Sequence, residues 1–485
     1  MKGMTLEAVA KACDGIYHGS DGDKIKEVSA ITTDSRQIQP RGMFIAIKGA
    51  RSDGHAYIDS CYEKGALCCI SEQELPGEKR PYIQVESSLQ ALKDIAQLYR
   101  ANLDIKVVGI TGSVGKTSTK ETIAAVLSQK YKVLKTQGNF NNEIGLPLTS
   151  LKVHAETRFL VAEMGANHVG EIANLTSLVP PDIAVVLKVG VAHLGEFGSP
   201  ERIAQAKSEI IRGLVPGGLS VLNANDEHVA AMSAIAPGDV MWFGLPQNND
   251  GKPAISAQHV HCDELDHPSF ILDNGDGEHA EVTLGICGQH NVMNALAAAS
   301  VAMHLGMSMD EVASALSDVT AISPHRMAVS TVHKPEASFT LIDDSFNANP
   351  DSMKAGLDGL LRWKAGAETQ PFRIAVLGAM LELGPDEKDL HAGIGRYAVE
   401  GDVDALLTVG SASDASLDAL AGAMAEGASA AGCASHIDWV HDIDEADRLV
   451  TQLAVEHPGA VVLLKGSHAS GLSALAERWQ ALAAQ

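Results

Sequence analysis

Lys106-Val107-Val108-Gly109-Ile110-Thr111-Gly112-Ser113-Val114-Gly115-Lys116-Thr117-Ser118-Thr119-Lys120-Glu121-Thr122-Ile123-Ala124-Ala125-Val126-Leu127 is the stretch that decides how this chain folds. An apolar run comes first, then a Gly-rich turn, then apolar residues at helical spacing from Thr117 onward. Strand, turn and helix in that order are the context of a phosphate-binding loop. Glycines let successive backbone N–H groups converge on phosphate oxygens, and the helix N-terminus adds its positive end. The nucleotide-facing run is Gly112, Ser113, Val114, Gly115, Lys116, Thr117 and Ser118. Lys116 is placed to reach the β- and γ-phosphates of a nucleotide, and the Thr117 hydroxyl to sit on Mg²⁺. The strict eight-residue pattern wants its first Gly at position 110, where Ile110 stands, so this loop is a shortened relative. The competing reading is an ordinary strand-to-helix turn. The flanking strand and helix favour nucleotide binding.

A chain of 485 residues suggests about three domains at roughly 150 residues each. With 45% hydrophobic and 20% charged residues, the composition is that of a soluble globular protein. A formal net charge of −24 argues against sequence-independent nucleic-acid binding and against docking on an anionic membrane. Any anionic substrate must then be held by a local cluster of positive groups. No signal-peptide core and no stretch approaching ~20 apolar residues is visible. Seven cysteines without Cys-x-x-Cys spacing fit reduced thiols in a cytoplasm. The expectation is a soluble cytoplasmic monomer acting on small molecules.

Outward from the loop, strands and helices alternate in three regions, which predicts an α/β protein with mostly parallel sheets. The expected domains are 1–103, 104–321 and 322–485. In the first, Gly42–Ile47 and Ala66–Ile70 read as strands and Leu89–Tyr99 as a helix leading to a linker near Asn102. In the second, the strand candidates are Val107–Ile110, Phe159–Ala162, Ile183–Leu187 and Leu219–Leu222. Trp242 to Leu284 is polar and reads as a small β excursion, and Asn291–Leu305 as an Ala-rich helix. In the third, they are Phe339–Ile342, Ile374–Leu377, Ala405–Val409 and Val461–Leu464, giving a Rossmann-like alternation.

Several residues outside the loop carry possible chemistry. Glu163 ends the apolar run Leu160-Val161-Ala162, where a carboxylate beside a phosphate loop partners Mg²⁺; its plain alternative is a solvated strand end. His193 follows the next strand, and a lone His there is more often structural. Lys207, in a helical stretch, reads on its own as a solvated surface lysine. Asp343-Asp344 ends a strand before Ser345-Phe346-Asn347-Ala348-Asn349-Pro350 and is either a ribose, metal or water grip or an Asx-rich turn. Lys465-Gly466-Ser467-His468 is an anion grip or a helix cap. Thr33-Asp34-Ser35-Arg36, Lys48-Gly49 and Asp53-Gly54-His55 offer an anion-binding corner in the first domain.

Taken together, Thr33–Arg36, Asn139-Phe140-Asn141-Asn142-Glu143-Ile144-Gly145-Leu146-Pro147, Glu163-Met164-Gly165-Ala166-Asn167-His168, Asp343–Pro350 and Leu377-Gly378-Ala379-Met380-Leu381-Glu382-Leu383-Gly384 resemble the Mur ligases. These are ATP-dependent amide-forming enzymes of peptidoglycan precursor synthesis, and the likeness runs over nearly the whole chain. The motifs look most like the branch that joins D-alanyl-D-alanine to UDP-N-acetylmuramoyl-tripeptide. No Asp-Asn-Pro-Arg, the signature of the branch that adds a diamino acid, is found. The resemblance implies that Thr117 and Glu163 hold one Mg²⁺ and that His193 helps hold a second. It implies that Lys207 matches a lysine which some members carbamylate into a metal ligand. It makes Lys116, His193 and Lys207 the catalytic set. Asn291 and Asn294 would line the adenine and ribose site, with Arg326 and Asp343 reaching the nucleotide from the third domain. The first domain, with Ser35, Arg36 and Lys48, would take the UDP end; Asn139, Asn142, Asn347 and Lys465 would be further substrate contacts. The family usually has Gly where this chain has His325, Tyr where it has Phe346, and often Arg where it has His468. Two rivals stay open: a P-loop ATPase or switch that needs no amino acceptor, and another family ligase such as the folate polyglutamating enzyme.

Overall fold

The computed structural model describes residues 1–49, 52–77, 79–138, 140–190, 194–246, 254–320, 323–363, 370–432 and 436–483. Every apolar run named above as a strand is one, with ends within two residues of those expected. They lie in three sheets, one for each region of the sequence. The central sheet has nine strands in the order His279–Thr283, Pro268–Asp273, Ile255–Cys262, Val240–Gly244, Leu219–Asn223, Ile183–Val186, Lys106–Thr111, Phe159–Glu163, Val133–Lys135. Seven of these run parallel, and the polar excursion adds an antiparallel edge.

The parallel strands read as unbroken apolar runs because both faces are covered. Successive residues supply opposite cores: Val107, Leu160, Ala162, Ala184 and Val186 enter one, and Val108, Val161, Ile183 and Val185 the other. The first core continues without a break into the first domain through Leu92, Ile95 and Tyr99 of the helix Ser88–Ala101. Tyr99 also donates its hydroxyl to the Val153 carbonyl at 2.7 Å. The second core lies under the phosphate-loop helix Lys116–Ser128 and the Ala-rich helix Asn291–His304.

Lys106–Thr111 pairs with Phe159–Glu163 on one side and Ile183–Val186 on the other, so the chain changes direction across the sheet there. A crevice opens at the carboxyl ends of strands at such a switch point. The third domain's six-stranded sheet, Ala328–His333, Ser338–Asp344, Val461–Lys465, Arg373–Gly378, Ala405–Val409, His436–Val440, faces this crevice from the opposite side. It is pinned there by Arg362, whose Nε and Nη2 bond the buried Asp266 carboxylate at 2.7 and 3.2 Å, and by Lys188 3.4 Å from Asp351. The first domain's five strands run Ile16–His18, Tyr82–Gln84, Cys68–Ser71, Met43–Ile45, Ile31–Thr32. Among the described residues no helix is long and apolar enough to cross a membrane.

Candidate active site

The phosphate loop begins where Lys106–Thr111 ends and closes at Gly115, the N-cap of Lys116–Ser128. Gly115 has φ +82°, a left-handed conformation that a side chain disfavours. A Cβ there would also lie 2.7 Å from Asn294 Oδ1. That close approach matters, because Asn294 joins the two helices flanking the loop. Its Oδ1 accepts from the Thr119 hydroxyl at 3.0 Å, its amide donates to Asn291 at 2.8 Å, and Asn291 donates to the Cys287 carbonyl at 2.7 Å. Asn291 and Asn294 thus line the cleft and at the same time fix the loop. Ser113 is tied by its N–H to the Lys188 carbonyl and by its Oγ to the Gly190 N–H. Lys116 curls back and donates to the Gly112 carbonyl at 2.7 Å. Burial lowers its pKa; Glu163 opposes this and Arg326 adds to it.

Glu163 is not a solvated strand end. It is 2% exposed, and its Oε1 accepts from the Asn141 amide at 2.9 Å. Its Oε2 is buried without a hydrogen bond. An orphaned carboxylate oxygen in the same cleft as the Thr117 hydroxyl fits Mg²⁺, which takes one or two protein oxygens and leaves its other positions to phosphate and water. No group of three or more His, Cys, Asp or Glu side chains suited to a metal is found among the described residues. His193 and Asn139 lie outside the described residues.

Lys207 corrects the reading from sequence. It is 2% exposed, because it stands in the buried stripe Ile203, Ala206, Lys207, Ile210 and Ile211 of the helix Pro200–Arg212. Burial, and secondarily the charge on Lys116, push its pKa down to about 7. A neutral amine is therefore available near neutrality, as carbamylation requires.

The third domain supplies the other wall of a cavity of about 890 Å³. Arg326 sits above the loop with Nη2 3.4 Å from the Thr117 hydroxyl and its guanidinium stacked on Phe346 at 4.6 Å. Its Nε is buried without a partner, so the group arrives at the loop with a donor to spare. Burial lowers its pKa, against the pull of Asp344 and Glu163. The paired acids divide by the alternation of their strand. Asp343, expected at the nucleotide, is fully buried and bonded to His325 Nδ1 at 2.8 Å and Ser345 Oγ at 2.6 Å. Asp344 lines the cleft and pairs with Lys465. Asn347 and Lys465 line it as well, as does Asn142, whose side chain caps the Ile144 and Gly145 N–H groups.

Ser35, Arg36 and Lys48 are not brought to this cleft. Parallel pairing of Ile31–Thr32 with Met43–Ile45 places their two turns together at the carboxyl edge of the first sheet. There Arg36 forks onto Asp34 at 2.9 and 2.8 Å and holds its carboxyl down to about 2. The Ser35 carbonyl accepts from Lys64, and the backbone of Lys48 pairs with that of Asp53 in an isolated antiparallel β-bridge, the Asp53 side chain being bonded to His55. Sequence reasoning passed over Lys120, quoted Asn141 within a motif without a role, and named Asp344 only as half of the Asp343-Asp344 pair. Lys120 was discoverable as the residue one turn beyond Lys116 on the same helix face.

Comparison with known proteins agrees with this architecture. The Mur ligase family catalytic domain matches residues 27–100, the Mur ligase middle domain residues 110–302, and the Mur ligase glutamate ligase domain residues 325–468. The UDP-N-acetylmuramoyl-tripeptide–D-alanyl-D-alanine ligase of Mycobacterium tuberculosis is 41% identical, covering 98% of this chain and 97% of that protein. The crystal structure of MurF from Acinetobacter baumannii superposes with a TM-score of 0.84 at 30% identity, over 98% of each chain. MurF from Thermotoga maritima in complex with ADP gives 0.78 at 29%, over 93% of this chain and 97% of that one. With a relative this similar over the whole of both chains, the protein belongs to the Mur ligase family.

Proposed function

We propose that this chain is an ATP-dependent ligase joining D-alanyl-D-alanine to UDP-N-acetylmuramoyl-tripeptide in peptidoglycan precursor synthesis, working as a cytoplasmic monomer. The observation that carries the reading is the cleft itself. A phosphate loop forms one wall, and the cations Arg326 and Lys465 form the other. In this reading residues 1–103 take the UDP end, 104–321 bind ATP, and 322–485 complete the site.

The terminal carboxylate of the tripeptide attacks the γ-phosphorus of ATP. The bond to the β-phosphate oxygen breaks, giving an acyl phosphate and ADP. The amine of D-alanyl-D-alanine then attacks the acyl carbon, inorganic phosphate leaves, and the amine's extra proton is lost. Two anions must meet in the first step, so the site has to cancel charge. Lys116 and the loop amides do so on the phosphates, and Arg326 adds its donors from above. Thr117 and Glu163 would hold Mg²⁺, with His193 and the carbamylated form of Lys207 serving a second ion; the metal would supply Lewis-acid stabilisation of the phosphoryl oxygens. The acyl phosphate hydrolyses in water, and closure of the third domain over the cleft excludes it.

Lys116→Ala should lower ligation by a factor of roughly 10²–10³ or more while leaving the fold intact by circular dichroism. Near-normal turnover in that variant would overturn the assignment. Phosphate release measured with and without D-alanyl-D-alanine separates ligase from ATPase: release that ignores the acceptor speaks for the latter.

A further inference from the structure

The phosphate-loop helix carries a second lysine, Lys120, that no step of the reaction uses. It is fully buried. Its Nζ lies 3.1 Å from Glu121 Oε1, 3.7 Å from Glu163 Oε2 and 3.5 Å from the Gly138 carbonyl oxygen. Glu121 has another cation, since Lys135 also pairs with it. The charge of Lys120 is therefore available to Glu163. On the other side of the pair, the hydrogen bonds of Glu163 among the described residues are with two neutral groups, the Asn141 amide at Oε1 and, through its backbone N–H, the Thr136 hydroxyl at 3.0 Å; Lys116 and Arg326 share its charge from farther off, and Lys120 is the cation within 4 Å of it. Neither neutral group offsets a negative charge. A carboxylate this deeply buried needs a compensating charge, because leaving it unpaired costs far more than leaving a neutral group unpaired.

We propose that Lys120 is a positioning residue for the reaction. It supplies the counter-charge that keeps the Glu163 carboxylate compensated and its Oε2 presented to the cleft until a divalent cation arrives. Its Nζ also reaches the carbonyl of Gly138, three positions before Asn141 in the sequence. At 3.7 Å, without a hydrogen bond to Oε2, the lysine balances that oxygen and leaves its lone pairs open to the metal. This inference rests on the reading of Glu163 as a Mg²⁺ ligand. It predicts that lysine and metal substitute for each other in stabilising the fold.

The test is thermal unfolding of the full chain in EDTA and in Mg²⁺ plus ADP. Lys120→Met should lose roughly 6–12 °C in EDTA, as expected when one partner of a buried ion pair is removed. With Mg²⁺ and ADP present that deficit should shrink by half or more, so the metal nucleotide stabilises the variant more than it stabilises the wild type. Lys120→Met/Glu163→Gln should regain most of the loss in EDTA, because no uncompensated charge is then left behind. A deficit that is equal in both conditions, or a double variant no better than Lys120→Met, would overturn the role of Lys120. Should Mg²⁺ with ADP fail to stabilise the wild type, the nucleotide reading falls, and this inference falls with it.

Discussion

Replacing Gly115 by Ala adds one methyl group to the turn on which the phosphate loop closes, and its cost has two separable parts. The backbone there has φ +82°, and holding an L-residue in that region costs about 1–2 kcal/mol. The new Cβ would stand 2.7 Å from Asn294 Oδ1, well inside contact distance. Asn294 must then retreat, and its buried bond from the Thr119 hydroxyl is lost, at about 1–3 kcal/mol. The sum is a loss of roughly 2–5 kcal/mol, read by urea unfolding followed by circular dichroism. Calorimetric titration with Mg²⁺ and ADP should show weakened binding in parallel. Gly115→Ala/Asn294→Ala removes the collision, so its cost should fall short of the sum of the single changes by about 1–2 kcal/mol. A Gly115→Ala protein within about 0.5 kcal/mol of wild type, or a double variant that is strictly additive, refutes the reasoning.

Two further outcomes follow from buried groups. Lys207 titrates near 7 in the fold against 10.5 for an ordinary lysine, so the unfolded chain holds more protons between those values. Stability should rise with pH across that window, by up to roughly 1.4 kcal/mol per unit, and Lys207→Met should abolish that contribution. A wild-type-minus-Met difference that stays flat in urea melts at pH 7, 8.5 and 10 would contradict it. His325 holds φ +60° while its ring bonds Asp343, so His325→Gly and His325→Ala both lose the bond but only Gly relieves the backbone. The Gly variant should therefore be the more stable by about 1 kcal/mol, and equal denaturation midpoints would sink that account.

The strands around the phosphate loop were legible because parallel pairing buries both faces and leaves long apolar runs in the sequence. Edge elements such as Ile31–Thr32 and Val133–Lys135 were not, since two or three residues carry no periodicity. Lys207 was misread as solvated although its helix had already placed it in register with Ile203, Ile210 and Ile211. Spacing carried the signal there, and residue type masked it. The choice between Asp343 and Asp344 was out of reach, because it depends on which face of their strand meets the central domain. The Asp266–Arg362 pair, 96 positions apart, depends on how two domains dock, and no local pattern announces it.

Where the third domain touches the central one at Gly195 and Gly384, two bare backbones meet. The Gly195 N–H donates to the Glu382 carbonyl at 3.2 Å, and a methyl on Gly195 would lie 2.6 Å from the Gly384 nitrogen. Neither glycine has a side chain to disengage, so this point of contact itself gives up about one amide contact on opening, roughly 0.5–1.5 kcal/mol, and the Arg362–Asp266 pair carries more of the hold between the domains. The glycine contact equally has no room for padding: any added bulk would act as a doorstop. At this spot backbone thickness alone sets how near the two domains come.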